Sequence, residues 1–135
     1  MTVIIDSFAW IEYLTAGRLG PKVNVTLGGE DLALTPDLVL AEVSRKLARD
    51  GLDQDQLRRQ LSLILSLTSI VSIDLEVALA IPQADADLRS SARRRGLGAP
   101  GLGDATVLAT ARSRFGKVLT GDRHFEGFPE TEWLG

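Results

Sequence analysis

Short apolar runs alternate along the chain with longer stretches in which apolar residues recur every three or four positions. Thr2 to Ile5 is continuous and β-branched, the pattern of a strand buried on both faces of a parallel sheet. Asp6-Ser7 then starts a helix, with Ser7 a suitable N-cap. Phe8, Ile11, Glu12 and Tyr13 carry that helix, with Trp10 and Leu14 alongside, until Gly17, Gly20 and Pro21 break it. Val23 to Leu27 fits a short helix or turn. Leu32 to Thr35 reads as a second strand, and Thr35-Pro36 opens a helix with proline in its first turn, running through Val39, Val43 and Leu47 to Gly51. Asp53 caps the next helix, whose apolar stripe is Leu57, Leu61, Ile64 and Leu65.

Ser69 to Ile73 has the composition of a third strand. Asp74 begins a helical stretch that Pro82 is expected to interrupt, giving two pieces or one kinked helix toward Arg95. Gly96, Gly98, Pro100 and Gly101 make a loop. Gly103-Asp104 opens a helix to Phe115, Gly116 ends it, Lys117 to Thr120 is a fourth strand, and Glu130 to Leu134 fits a short edge strand. This alternation predicts an α/β fold, a three-layer α/β/α sandwich around a mainly parallel sheet.

Composition narrows the picture. The 135 residues fit a single domain spanning 1–135. With 44% hydrophobic and 24% charged residues, the chain has the balance of a soluble globular protein. It has no cysteine, which excludes disulfides, thiolate zinc sites and iron–sulfur ligation and removes any argument for an oxidising compartment. A cytoplasmic location is the expectation: Met1 to Asp6 lacks a basic segment before its apolar residues, and Leu61 to Ile73 is interrupted by serines and a threonine and is too short to span a bilayer. A net charge of −3 argues against a protein that coats nucleic acid through a basic surface, but it does not exclude a nuclease with an acidic metal site.

Four acids stand out by position. Asp6 ends the first strand, Glu42 lies in the helix after the second, Asp104 opens a helix, and Asp122 follows the fourth strand. Each taken singly has a plain structural reading: Asp6 and Asp104 as helix caps, Glu42 as a solvated group on a wet helix face, Asp122 as a turn former. Taken together they fall where an open α/β sheet brings strand C-terminal ends and helix N-termini to one edge. Acids gathered there repel one another, and carboxylates with only His124 as imidazole select a hard cation, Mg²⁺ or Mn²⁺, over Zn²⁺.

Asp6-Ser7 after an apolar strand, Pro36-Asp37 followed by Glu42, Leu102-Gly103-Asp104-Ala105 opening a helix, and Leu119-Thr120-Gly121-Asp122 with Phe125 beyond resemble a PIN-domain ribonuclease. The resemblance covers nearly the whole chain, and at this length it is greatest to the VapC toxins of prokaryotic toxin–antitoxin pairs. It implies a metal-dependent endoribonuclease with Asp6, Glu42, Asp104 and Asp122 as its acidic catalytic and metal-binding site, supported by Ser7 and Thr120. Asp6 and Asp104 would be central ligands, with Glu42 and Asp122 completing the coordination or orienting metal-bound water. Implied partners are an RNA substrate, a VapB-type antitoxin whose tail covers the acidic pocket, and a second copy of the chain in a homodimer. Many relatives carry a further acid two residues after the last one; here His124 stands there. Contact with metal, substrate or solvent is open for it, a non-ligand role being the plainer reading.

Other features have weaker claims. Arg93, Arg94, Arg95, Arg112, Arg114 and Lys117 are candidates for phosphate contacts, although basic residues near helix ends also complement the helix dipole. Phe8, Trp10, Ile11 and Tyr13 offer a groove for an antitoxin segment, with core packing the default for most of them. Two other function classes compete with the nuclease: a Mg²⁺-dependent phosphotransfer domain, and an inactive α/β binding module whose acids are caps and turn formers. The first is disfavoured by Phe8, which stands where a haloacid-dehalogenase pattern needs a second aspartate.

Overall fold

The computed structural model describes all residues, Met1–Gly135. Its strands are β1 (Thr2–Ile5), β2 (Leu32–Pro36), β3 (Ser69–Val71), β4 (Lys117–Thr120) and β5 (Thr131–Trp133), joined in one sheet of order β3-β2-β1-β4-β5. Every neighbouring pair is parallel, with Ile4 opposite Leu34 on one side and Val118 on the other. Six helices cover the sheet: α1 (Ser7–Leu14), α2 (Gly20–Leu27), α3 (Asp37–Arg49), α4 (Gln54–Leu67), α5 (Leu75–Arg94) and α6 (Leu102–Ser113), with a short 3₁₀ turn at Arg123–Phe125. α1 packs on both α2 and α3, and α3 on α4, while α5 packs on α6. Right-handed crossovers place the first group on one face of the sheet and the second on the other. The predicted three-layer α/β/α sandwich is observed.

The central strands explain themselves. Val3, Ile4 and Ile5 are fully buried between the two helical layers, and α6 is buried continuously from Ala105 to Ala111. Such a helix has no wet face, so its polar side chains bond back to its own carbonyls: Thr106 Oγ1 donates to Leu102 O at 2.8 Å, and Thr110 Oγ1 to Thr106 O at 2.7 Å. A buried polar chain ties the opposite layer to the sheet. Trp10 Nε1 donates to Thr35 Oγ1 at 3.1 Å, Thr35 and Thr68 hydroxyls lie 2.6 Å apart, and Thr68 Oγ1 donates to Ile64 O at 3.1 Å. Because Thr68 spends its proton on Ile64, Thr35 donates to Thr68.

Several element boundaries differ from the sequence-based expectation. Gly20-Pro21 begins α2 instead of ending a helix, since proline in a first turn loses no intrahelical bond. α1 begins at Ser7, so Asp6, not Ser7, is its N-cap residue, and no side chain caps it. Pro82 does not divide α5, which runs unbroken for 20 residues. Ala78, whose carbonyl proline leaves without a donor, lies on the exposed side, while Val77, Ala84 and Leu88 hold the buried side against the core. β3 stops at Val71, because Ser72 and Ile73 have run past the edge of the sheet.

Candidate metal centre

The strand order sets the location. Connections leave β1 toward one face and enter β4 from the other, so the sheet opens a crevice beyond the carboxyl ends of these two neighbours. Asp6 follows β1 and Asp122 follows β4. Asp6 N donates to Leu119 O at 3.2 Å, extending the ladder by one rung and holding the carboxylate at the crevice floor.

Asp6 is only 2% exposed. Burial, with the charges of Asp104 and Asp122 adding to it, pushes its carboxyl up to about 7, against the opposing hydrogen bond from Thr120. Thr120 Oγ1 donates to Asp6 Oδ2 at 2.8 Å and accepts the Asp122 N–H at 3.0 Å, so one hydroxyl fixes two of the four acids relative to each other. Ser7 makes no comparable bond. Its side chain lines the groove beside Asp122 and Glu42.

Asp104 sits three residues into the start of α6, where Oδ2 accepts the Gly101 N–H at 2.9 Å. It is therefore not the N-cap itself; its carboxylate reaches back to the N-cap backbone. Burial raises its pKa and the charge of Asp122 adds to the rise, while the Gly101 N–H works against them. Glu42 projects from α3 into the same space. Burial and then the Asp104 charge raise its pKa, and Arg45 opposes them. Gly103 makes room for this carboxylate: a Cβ there would fall 2.8 Å from Glu42 Cδ and closer still to one carboxylate oxygen. Only glycine lets α6 begin against Glu42 without displacing it.

Each of the four acids thus feels the charge of at least one other, and Asp104, Asp122 and His124 each bring one ligand atom within 4.8 Å of the others. His124 occupies a definite place. Its Nε2 is 2.8 Å from Gly98 O, its Nδ1 is 3.0 Å from Asp122 Oδ1, and its backbone N–H donates to that same oxygen at 3.0 Å. Although burial works against protonation, the hydrogen bonds to Gly98 and Asp122 and the charges of Asp122 and Asp104 raise its pKa.

Beside the acids lies an open groove of about 440 Å³, with Phe8 and Ile11 on its apolar side and Arg45, Lys46 and Arg49 on its basic side. Arg45 and Arg49 form no ion pair, and Lys46 pairs only with Asp50 of its own helix. Sequence reasoning missed this basic wall. Its signal was helical spacing, since Arg45, Lys46 and Arg49 follow Glu42 at three, four and seven residues. Of the cations it did single out, Arg112 is spent on Asp87 and Glu130 at 2.7 and 2.9 Å, and Arg95 on Glu126 and nearby carbonyls. Arg93, Arg94 and Arg114 are exposed, and Lys117 reaches the Pro129 carbonyl. Of the aromatic set, Trp10 is core, while Phe8 lines the groove and would meet any Cβ placed on Gly121.

A family model described as PIN domain matches residues 3–130. Among solved structures, the fold is similar to that of VapBC2 from Rickettsia felis bound to a DNA fragment from its promoter, with a TM-score of 0.72 at 16% identity over 97% of this chain and 96% of that one. A toxin–antitoxin complex from Klebsiella pneumoniae gives a TM-score of 0.72 at 19% identity over 98% of each chain. Mycobacterium tuberculosis VapC20, a Sarcin-Ricin loop cleaving toxin, gives 0.69 at 19% identity over 95% of this chain and 97% of that one. At these identities the likeness is one of fold. No curated protein matches the chain in sequence.

Proposed function

The chain belongs to the PIN-domain family, and on that premise we propose that it is a divalent-metal-dependent endoribonuclease, the toxin of a type II toxin–antitoxin pair. What supports this reading is that Asp104 and Asp122 bring ligand atoms within 4.8 Å of each other, and that Asp6 and Glu42, from two further elements, lie near enough to feel their charges, the buried Asp6 carboxyl being held far above its usual range. The donor set suits Mg²⁺ or Mn²⁺: carboxylates dominate it, and the chain has no thiolate to offer. Asp6 and Asp104 would be central ligands, with Glu42 and Asp122 completing the set or orienting the attacking water. When bound, the ion would supply an activated water and positive charge for the phosphodiester oxygens that gain negative charge.

The protein's own contribution is placement. Thr120 orients Asp6, the Gly101 N–H orients Asp104, and Gly103 leaves space for Glu42. Ser7 faces the groove, where it would meet substrate more readily than it would support a carboxylate. Arg45, Lys46 and Arg49 offer phosphates a track beside the acids, although the chain as a whole is negative. Phe8, in the position where a phosphotransfer enzyme would need a second aspartate, disfavours that alternative.

The similar folds found in toxin–antitoxin complexes support a VapB-type antitoxin as partner. A homodimer is proposed as the working assembly. No helix is long and apolar enough to cross a membrane. A cytoplasmic location is part of the proposal. Labelled RNA, including a ribosomal stem-loop, incubated with the protein and Mg²⁺ or Mn²⁺ tests the reading. Scission should be abolished by chelator and should fall at least about a hundredfold in Asp104→Asn with the circular dichroism spectrum unchanged. Full activity in that variant, or a phosphoenzyme without scission, refutes it.

A further inference from the structure

We infer that the hollow between α5 and the loop preceding α6 is a specificity subsite that takes one unpaired base of the RNA. This deepens the nuclease reading and rests on it.

The hollow has a volume of about 240 Å³ and is lined by Arg89, Ala92, Arg93, Leu97, Ala99 and Pro100. Ala92 and Pro100 are buried and Leu97 is half-buried, so the floor is apolar, while both arginines are exposed at the rim. Arg89 and Arg93 stand four residues apart on α5 and so share one face of the helix. Arg93 joins no ion pair, and Arg89 gives Asp85 only its Nε–H, at 2.9 Å, leaving its terminal nitrogens free to donate. Complementing the helix dipole accounts for a cation in the last turn of α5, but it treats Arg93 and Arg94 alike. Only Arg93 turns to this hollow, whereas Arg94 lines a separate one with Glu126.

This combination suits a nucleotide better than a bare anion. An anion needs donors around it, and here they sit along one rim above an apolar floor. A base lays one apolar face on such a floor, a guanidinium plane stacks on the other, and the second arginine meets the phosphate. The same loop also forms a wall of the acidic centre. Gly98 O is 2.8 Å from His124 Nε2, and Pro100 is joined to Gly101, whose N–H reaches Asp104 Oδ2 at 2.9 Å. Because α3 and α5 lie on opposite faces of the sheet, a strand that leaves Arg45, Lys46 and Arg49 and crosses the acids arrives at this hollow. The base read there belongs to a nucleotide beside the cut.

Binding is tested first, by titrating adenosine, guanosine, cytidine and uridine 5′-monophosphates into ¹⁵N-labelled protein in chelator. At least one should shift the Leu97 and Ala99 amides saturably, with affinity falling about tenfold in Arg93→Ala. Equal shifts from inorganic phosphate, or no saturable shift at these amides, overturn the assignment. Specificity is tested by cutting stem-loop RNAs of randomised loop sequence with Mg²⁺ or Mn²⁺ and sequencing the ends. Arg93→Ala and Ala99→Leu, which narrows the hollow from an exposed position, should each weaken the preference for the favoured base about tenfold at one position beside the cut. An unchanged preference in either variant, with or without a uniform loss of rate, overturns the base subsite and leaves the metal nuclease intact. Wild-type protein that cuts none of the pool in a chelator-sensitive way overturns both.

Discussion

Replacing Asp6 by Asn should make the metal-free protein more stable at neutral pH while destroying its chemistry. The buried carboxyl titrates at about 7, against an ordinary value of 3.8. At about 1.4 kcal/mol per pH unit, that difference means that ionised Asp6 costs the fold about 4 kcal/mol above pH 7. Against a usual total of roughly 5–15 kcal/mol, this is a large share. The sign follows from proton binding. Between pH 3.8 and 7 the folded protein holds the Asp6 proton more tightly than the unfolded chain does, so stability is greatest below this window and falls as pH rises through it. Asn is neutral throughout and can still accept the Thr120 hydrogen bond, so the variant lacks this slope. Urea denaturation in chelator should show Asp6→Asn gaining on the wild type by about 2–3 kcal/mol between pH 5 and pH 8. Burial is the largest cause, so most of the gap should survive high salt, which screens only the part due to Asp104 and Asp122. Saturating Mg²⁺ or Mn²⁺ should reverse the order by stabilising the wild type alone. Parallel pH profiles for the two proteins, or a variant less stable than wild type at pH 8 in chelator, would refute the reasoning.

Gly103→Ala should push the Glu42 carboxylate aside, lowering RNA cleavage at least about tenfold while thermal stability stays within about 1 kcal/mol, because a helix tolerates alanine well; steady-state cleavage and a melting curve check both halves. Thr120→Val removes the donor to Asp6 and the acceptor for the Asp122 N–H, costing about 1–3 kcal/mol in denaturation and moving the acid limb of the cleavage pH profile upward. Thr35→Val leaves the Trp10 N–H without its partner at a similar cost, but it lies outside the acidic centre, so the pH profile should not move.

The sequence by itself determined the elements and the residue types that meet at the site. A β-branched run specified the central strand β1, apolar residues at helical spacing specified α3 and α4, and the absence of cysteine, with two acids at strand ends and two on helices, confined the chemistry to hard cations. Those features are local, since they depend on neighbours within a turn or along a strand, and periodicity reports them directly. What only the tertiary structure decided is non-local. The strand order put β1 beside β4 and so made Asp6 and Asp122 neighbours across 116 residues of sequence. Packing against α6 kept α5 whole through Pro82, whose local preference is to break a helix. His124 could not be assigned from its place after Asp122, because its partner Gly98 lies on a loop 26 residues away. The need for glycine at position 103 likewise comes from a carboxylate on another helix. A carboxyl's proton affinity is set by what surrounds it in space, and no pattern along the chain carries that information.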